Sequence, residues 1–159
     1  MDPDAHFMAI ALEEAEAAAS RGEVPVGAAL VDPSGALLAR AGNRSVELSD
    51  PTAHAEVLVM RAAAQRLSNY RLTGCALYVT LEPCAMCVGA ISFARLTRLV
   101  FAADDPKGGA VLHGPRFFDL PTCHHRPDVA RGPGAEESAA LLRSFFRARR
   151  GASIVRKTR

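Results

Sequence analysis

The sequence predicts an α/β layered domain on a mixed sheet, and three observations carry that expectation. Strand-like apolar runs alternate with helix-periodic segments. Two of the helical segments are apolar on nearly every face, so each needs a sheet to lie against. No internal repeat or linker interrupts the 159 residues, a length that can bury one sizeable core by itself. The expected organisation is one domain over 1–150, followed by a basic tail over 151–159.

Taken in order, "HFMAIALEEAEAAASRG" repeats alanine and larger apolar residues at a period of 3.6 and ends at Gly22, which predicts a helix with a glycine stop. "VPVGAALVD" and "ALLARAGN" read as two strands joined by a tight turn at 33–35, "PSG". "DPTAHAEVLVMRAAAQRL" opens on cap-type residues and a proline and continues as a buried helix. "CALYVTL" is a third strand, "AMCVGAISFARL" a second buried helix, and "TRLVFAAD" a fourth strand. The stretch 106–133, rich in Gly, Pro and His, has no clean period and is expected to be a loop with at most one short element. "GAEESAALLRSFFRARR" closes the domain as a helix, with Leu141, Leu142, Phe145 and Phe146 on its apolar side.

Composition narrows the class. With 49% hydrophobic and 23% charged residues the chain is ordinary for a globular domain, and no apolar run approaches the length of a membrane span. The first twenty residues carry acids where a signal peptide carries bases, which points to a cytoplasmic protein with no membrane partner. Four cysteines in such a chain suit metal binding or catalysis better than a disulfide framework. Charge is uneven: residues 1–142 hold 12 bases and 17 acids, while 143–159 hold seven bases and no acid. A basic end on an acidic body suits either phosphate binding or a helix end whose dipole is complemented.

The chemistry concentrates in "DPTAHAE" and "TLEPCAMC". Cys84 and Cys87, three apart at a helix start, can point at one atom, and the free N–H groups there favour thiolates. Thiolates at this spacing suit zinc. His54 supplies a neutral imidazole as third ligand. Glu56, two residues on, would not share a face with His54 in mid-helix, but in a first turn both can reach beyond the helix end. Three protein ligands leave one zinc position for water, the mark of a catalytic site. Zinc lowers the pKa of such a water to about 7. A carboxylate beside two thiolates over-neutralises the ion as a fourth ligand, whereas it serves well as the group that takes and passes on a proton.

H-x-E followed by P-C-x-x-C is the signature of zinc nucleobase deaminases. Beyond it, "EVPVGAALV", "GNR", "DPTAHAE", "NYRL", "LYVTLEPCAMCVGAI", "DPKGGA" and "LLRSFFRARR" resemble, in order, the bacterial tRNA-specific adenosine deaminases. That resemblance implies a three-layer α/β/α cytidine-deaminase-like fold with a central mixed sheet of about five strands. It also implies one zinc per chain, a homodimer, and conversion of adenosine to inosine at the wobble position of a tRNA anticodon stem-loop. By the same resemblance His54, Cys84 and Cys87 are zinc ligands and Glu56 the proton shuttle. Asn43 holds the flipped nucleotide (or is a turn residue), Val26 forms a pocket wall, and Asp105 and Lys107 lie beside the substrate strand. Arg147, Arg149 and Arg150 are candidates for contacts with the RNA backbone.

Two other readings compete. Guanine deaminases also carry "DPTAHAE" and an E-P-C-x-M-C run, so a deaminase of guanine or another free base or nucleoside fits the same motif. "VPVG", "VTLEPC" and the basic end favour the tRNA enzyme. A non-catalytic zinc-stabilised binding module would need a fourth protein ligand, such as Cys123 or His124. Adjacent residues rarely chelate one ion, so Cys123, His124 and His125 are expected to serve loop packing or RNA contact. Cys75, Met8, Met60 and Met86 are expected in the core.

Overall fold

The computed structural model describes residues 2–157, and the side chains of 152–157 lie outside the description. The elements are α1 (Pro3–Ser20), β1 (Gly27–Val31), β2 (Leu37–Gly42), α2 (Ala55–Leu67), β3 (Ala76–Leu81), α3 (Ala85–Ala94), β4 (Arg98–Ala103), β5 (Asp128–Arg131) and α4 (Ala135–Lys157), with a 3-10 turn at Phe117–Asp119. The sheet order is β2-β1-β3-β4-β5. β1 is antiparallel to both its neighbours, and β3, β4 and β5 are parallel.

Strand alternation divides the core into two layers. Leu30, Leu77, Val79, Leu99 and Phe101 face α2 and α3, packing on Val59, Met60, Val88 and Ile91. Ala29, Val31, Tyr78, Val100 and Ala102 face α1, packing on Phe7, Met8 and Ala11. α1 packs on α4, and α4 on β3 and β4, which completes the second helical layer. The α1 contact is close because both sides are small. A Cβ on Gly27 would lie 1.9 Å from the Ala11 carbonyl oxygen, so only glycine fits there. The turn at 33–35 forms as expected: Asp32 Oδ1 accepts from the Ser34 and Ala36 N–H groups, and Gly35 takes φ +90°.

Three expectations need correction. The loop after β4 contains β5, a four-residue edge strand whose side chains are mostly exposed and so leave no apolar signal. α2 starts at Ala55 with His54 as its N-cap, as expected, and Asp50 accepts from the Thr52 N–H to close the turn before it. α2 and α3 are buried on one side only: Arg61, Gln65 and Arg66 are exposed on α2, and on α3 Phe93 is 75% exposed and Met86, expected in the core, is 37% exposed. α4 continues through Gly151 to Lys157, and Phe146 on it is exposed rather than packed. Met8, Met60 and Cys75 are buried as expected.

This topology gathers one end of the sheet. Because β1 runs against β2 and β3, its start lies beside the ends of both, and Gly27 N–H donates to Thr80 Oγ1 at 3.1 Å. α2 and α3 both begin at that end, one after the loop from β2 and the other directly after β3.

Candidate metal centre and active site

α2 and α3 start in the same unusual way. Their N-cap residues are His54 and Cys84, both in extended backbone, and neither side chain caps its helix. Each is instead free to turn toward the other. His54 Nδ1 lies 3.6 Å from Cys84 Sγ and 3.6 Å from Cys87 Sγ, and the three ligand atoms fall within 4.8 Å of one another. A tetrahedral zinc with Zn–N and Zn–S bonds of about 2.0 and 2.3 Å needs an N···S edge of about 3.5 Å, so the donors sit at the separation zinc requires. Among the described residues no fourth His, Cys, Asp or Glu joins the group.

The electrostatics suit a cation at the centre of the three. Cys84 is pushed down to about 4, first because Cys87 donates to it and also because His54 lies beside it. Cys87 is held above its ordinary value by the same partnership and by its burial. A metal held among the three groups would bind both sulfurs as thiolates in place of their protons. Glu56, in the first turn of α2, is 4% exposed, and its Oε1 has no hydrogen-bond partner. Burial pushes its carboxyl up to about 7. A buried carboxylate oxygen without a partner is costly unless something else uses it.

These groups open on a cavity of about 220 Å³, lined by Val24, Val26, Asn43, Leu81, Glu82, Asp105 and Gly108 together with His54, Glu56 and Cys84. Asn43 follows β2, and its Oδ1 accepts from the Ala55 N–H at 2.9 Å. It thus caps the helix that His54 leaves uncapped, and the residue also lines the cavity. The structure gives Asn43 a helix-capping role rather than a turn one, in the wall of the cavity. Val26 is a buried wall residue, as expected. Asp105 lines the cavity, though one of its carboxylate oxygens accepts from the Lys107 and Gly108 N–H groups of its own turn.

Lys107 is exposed on that turn and does not line the cavity. Arg147, Arg149 and Arg150 are exposed on α4, in the helical layer opposite α2 and α3, and Arg149 lies 5.0 Å over the Phe145 ring. The structure does not bring them to the cavity. Cys123 lies 3.6 Å from Ser92 Oγ, and the His125 ring meets the Leu96 carbonyl at 2.7 Å, so this pair fastens the loop onto α3. Sequence reasoning missed Glu82. Its carboxylate is buried at the end of β3, and an acid between an apolar strand and the proline of "EPC" was the available signal. A larger apolar hollow of about 410 Å³ lies elsewhere, between Met60, Tyr70, Ala90 and Phe93, and contains none of the site residues.

Comparison with known proteins agrees with this geometry. The family described as the cytidine and deoxycytidylate deaminase zinc-binding region matches residues 1–103. A tRNA-specific adenosine deaminase of Agrobacterium fabrum is 59% identical over 145 residues, covering 91% of this chain and 95% of its own. A solved structure from work on A-to-I editing by tRNA:A34 deaminases is 58% identical, with a TM-score of 0.85 over 87% of this chain and 99% of its own. A guanine deaminase structure from Nitrosomonas europaea is 27% identical, with a TM-score of 0.76 over 91% of this chain and 84% of its own.

Proposed function

This chain belongs to the cytidine and deoxycytidylate deaminase family, and from that premise we propose that it deaminates adenosine to inosine at the wobble position of a tRNA anticodon stem-loop. It is an enzyme, a hydrolytic tRNA adenosine deaminase. The observation that carries the mechanism is the buried Glu56 with its unpartnered Oε1, set beside a His–Cys–Cys group at the inner end of a cavity. Identity near 59% to a tRNA-specific adenosine deaminase, against 27% to a guanine deaminase, favours the tRNA reading over the free-base one.

In this reading His54, Cys84 and Cys87 hold one zinc ion per chain. Zinc there would supply Lewis-acid activation of the attacking water. Glu56 does the proton work: as the C–O bond forms at C6, Oε1 accepts a proton from that water and delivers it to the purine ring. It then carries the second water proton to the amino group, which leaves as ammonia when the C–N bond breaks. Asn43, oriented by the Ala55 N–H, donates its amide to the target nucleotide, and Val26 packs on the base. Asp105 and Lys107 form the rim beside the strand. In duplex or stacked RNA the base is out of reach, so it must be splayed from its stack into the cavity. Arg147, Arg149 and Arg150, on the exposed face of α4, contribute phosphate contacts further along the RNA.

The domain is 1–150, with 151–159 as its basic extension; Arg159 lies outside the described residues. Among the described residues no helix is long and apolar enough to cross a membrane. We place the protein in the cytoplasm, where tRNA is. It acts as a homodimer, supported by the apolar hollow between α2 and α3 and by Phe93 and Tyr70 at its edge, 75% and 72% exposed. The test is deamination of an anticodon stem-loop beside free adenosine, guanine and cytidine. Turnover of the stem-loop alone is expected; preferred turnover of guanine would replace the tRNA reading with the free-base one.

A further inference from the structure

Glu82 sits two residues before Cys84, its side chain fully buried, in the wall of the cavity. Five donors converge on its carboxylate. Oε1 accepts from the Asp105 N–H at 3.1 Å and faces His113 Nδ1 at 2.7 Å. Oε2 accepts from the N–H groups of Val111, Leu112 and His113 at 3.0–3.2 Å. A carboxylate offers about four lone-pair directions, so both oxygens are saturated and neither is free to take a proton from a substrate.

The fit around it is tight. A Cβ on Gly109 would lie 2.5 Å from the Glu82 carboxylate and 2.6 Å from the Asp105 carbonyl oxygen. The Ala110 N–H donates to the Pro83 carbonyl at 2.9 Å, and the Glu82 N–H to the Ala103 carbonyl at 2.8 Å. The segment that leads into the metal-binding helix and the segment 105–113 are therefore joined by the Glu82 side chain and one backbone bond. Without that side chain, four backbone N–H groups of an irregular segment would lose their acceptor together.

We propose that Glu82 is a positioning residue for the target nucleotide: its carboxylate fixes the wall 105–113 against the strand end that carries the metal ligands, and so sets the width of the cavity that admits a splayed purine. It acts through Asp105 and Gly108, which line the cavity, and does not touch the chemistry. The inference rests on the deaminase reading for its substrate and on the hydrogen-bond geometry for its mechanics. Glu82→Gln is the informative change, because it keeps the shape but turns an NH2 donor toward N–H groups that need an acceptor.

The experiment measures Glu82→Gln and Gly109→Ala against the wild type for metal content, stem-loop kinetics and hydrogen exchange. In Glu82→Gln the amides of Asp105, Val111, Leu112 and His113 should exchange at least tenfold faster. KM for the stem-loop should rise about tenfold or more, while the single-turnover rate at saturation changes less than threefold and zinc stays bound. Gly109→Ala, whose backbone φ is not positive, should raise KM because its methyl group pushes the wall away from the Glu82 carboxylate while leaving that carboxylate in the chain. Wild-type KM and wild-type exchange in Glu82→Gln would overturn the proposal. A fall in single-turnover rate at unchanged KM would overturn it too, since Glu82 would then act on the reaction. Should Glu82→Gln not fold, Gly109→Ala decides, and an unchanged KM there refutes the wall. A wild type that deaminates no stem-loop would instead reject the deaminase reading, and the exchange data would still judge Glu82.

Discussion

Asn43→Ala should damage stability and catalysis separately, because the side chain serves two partners. Its Oδ1 accepts from the Ala55 N–H at 2.9 Å, in a buried position, at the start of the helix that carries His54 and Glu56. Truncation leaves that N–H without an acceptor. Losing a helix cap costs about 0.5–2 kcal/mol and stranding a buried donor about 1–3 kcal/mol, two descriptions of one event. At roughly 2–4 °C per kcal/mol for a chain of this size, the zinc-loaded protein should melt about 2–10 °C lower by circular dichroism. Catalysis should fall further than stability explains, by about tenfold or more in kcat/KM, since the amide proposed to meet the target nucleotide is lost as well. Asn43→Asp separates the two effects. It keeps the acceptor, which the helix N-terminus favours as an anion, and should recover most of the melting temperature but little of the activity. An Asn43→Ala protein that melts within 1 °C of wild type would show that another group caps α2. An Asn43→Asp protein with full activity would show that the amide does not meet the substrate.

Glu56→Ala should keep its zinc and its fold while losing at least 10²–10⁴-fold in turnover, measured as inosine formed per chain, and near-normal activity would reject the proton-shuttle role. Neutralising Arg147, Arg149 and Arg150 together should weaken RNA binding and flatten its salt dependence by about 0.7 per lost phosphate contact. The single-turnover rate at saturating RNA should not change. If binding is unaltered, these arginines only complement the end of α4. Phe93→Ser should shift the solution mass at micromolar concentration from dimer to monomer, as read by light scattering. A wild type that is already monomeric would contradict the homodimer.

How much of this could be read from the sequence depends on how local its physical cause is. The gathering of His54, Cys84 and Cys87 was legible because a metal needs particular atoms at particular spacings, and C-x-x-C at one helix start with H-x-E at another leaves few other uses. The first four strands were legible because both faces of the sheet are covered, which leaves near-continuous apolar runs such as "LYV" and "LVF". β5 was not, since a short edge strand with exposed side chains carries no such run. The exposed side of α3 was also hidden: Met86 and Phe93 are as apolar as core residues, and composition cannot tell a core from an exposed apolar surface. Asn43 looked like a choice between turn and substrate contact because its cap partner, Ala55, is supplied by the fold. The partners of Glu82 were hidden for the same reason, though the acid itself stood out between an apolar strand and a proline. Its five donors come from residues 23 to 31 positions away in sequence.

The most direct test of the central claim is zinc-edge X-ray absorption on the purified protein, with metal content measured on the same sample. A catalytic centre built by His54, Cys84 and Cys87 predicts about one zinc per chain, with two sulfur neighbours near 2.3 Å and the rest of the shell nitrogen or oxygen. Removing the metal with a chelator should abolish deamination, and adding zinc should restore it. A shell of four protein ligands, or a protein that deaminates with no metal at all, would contradict the account.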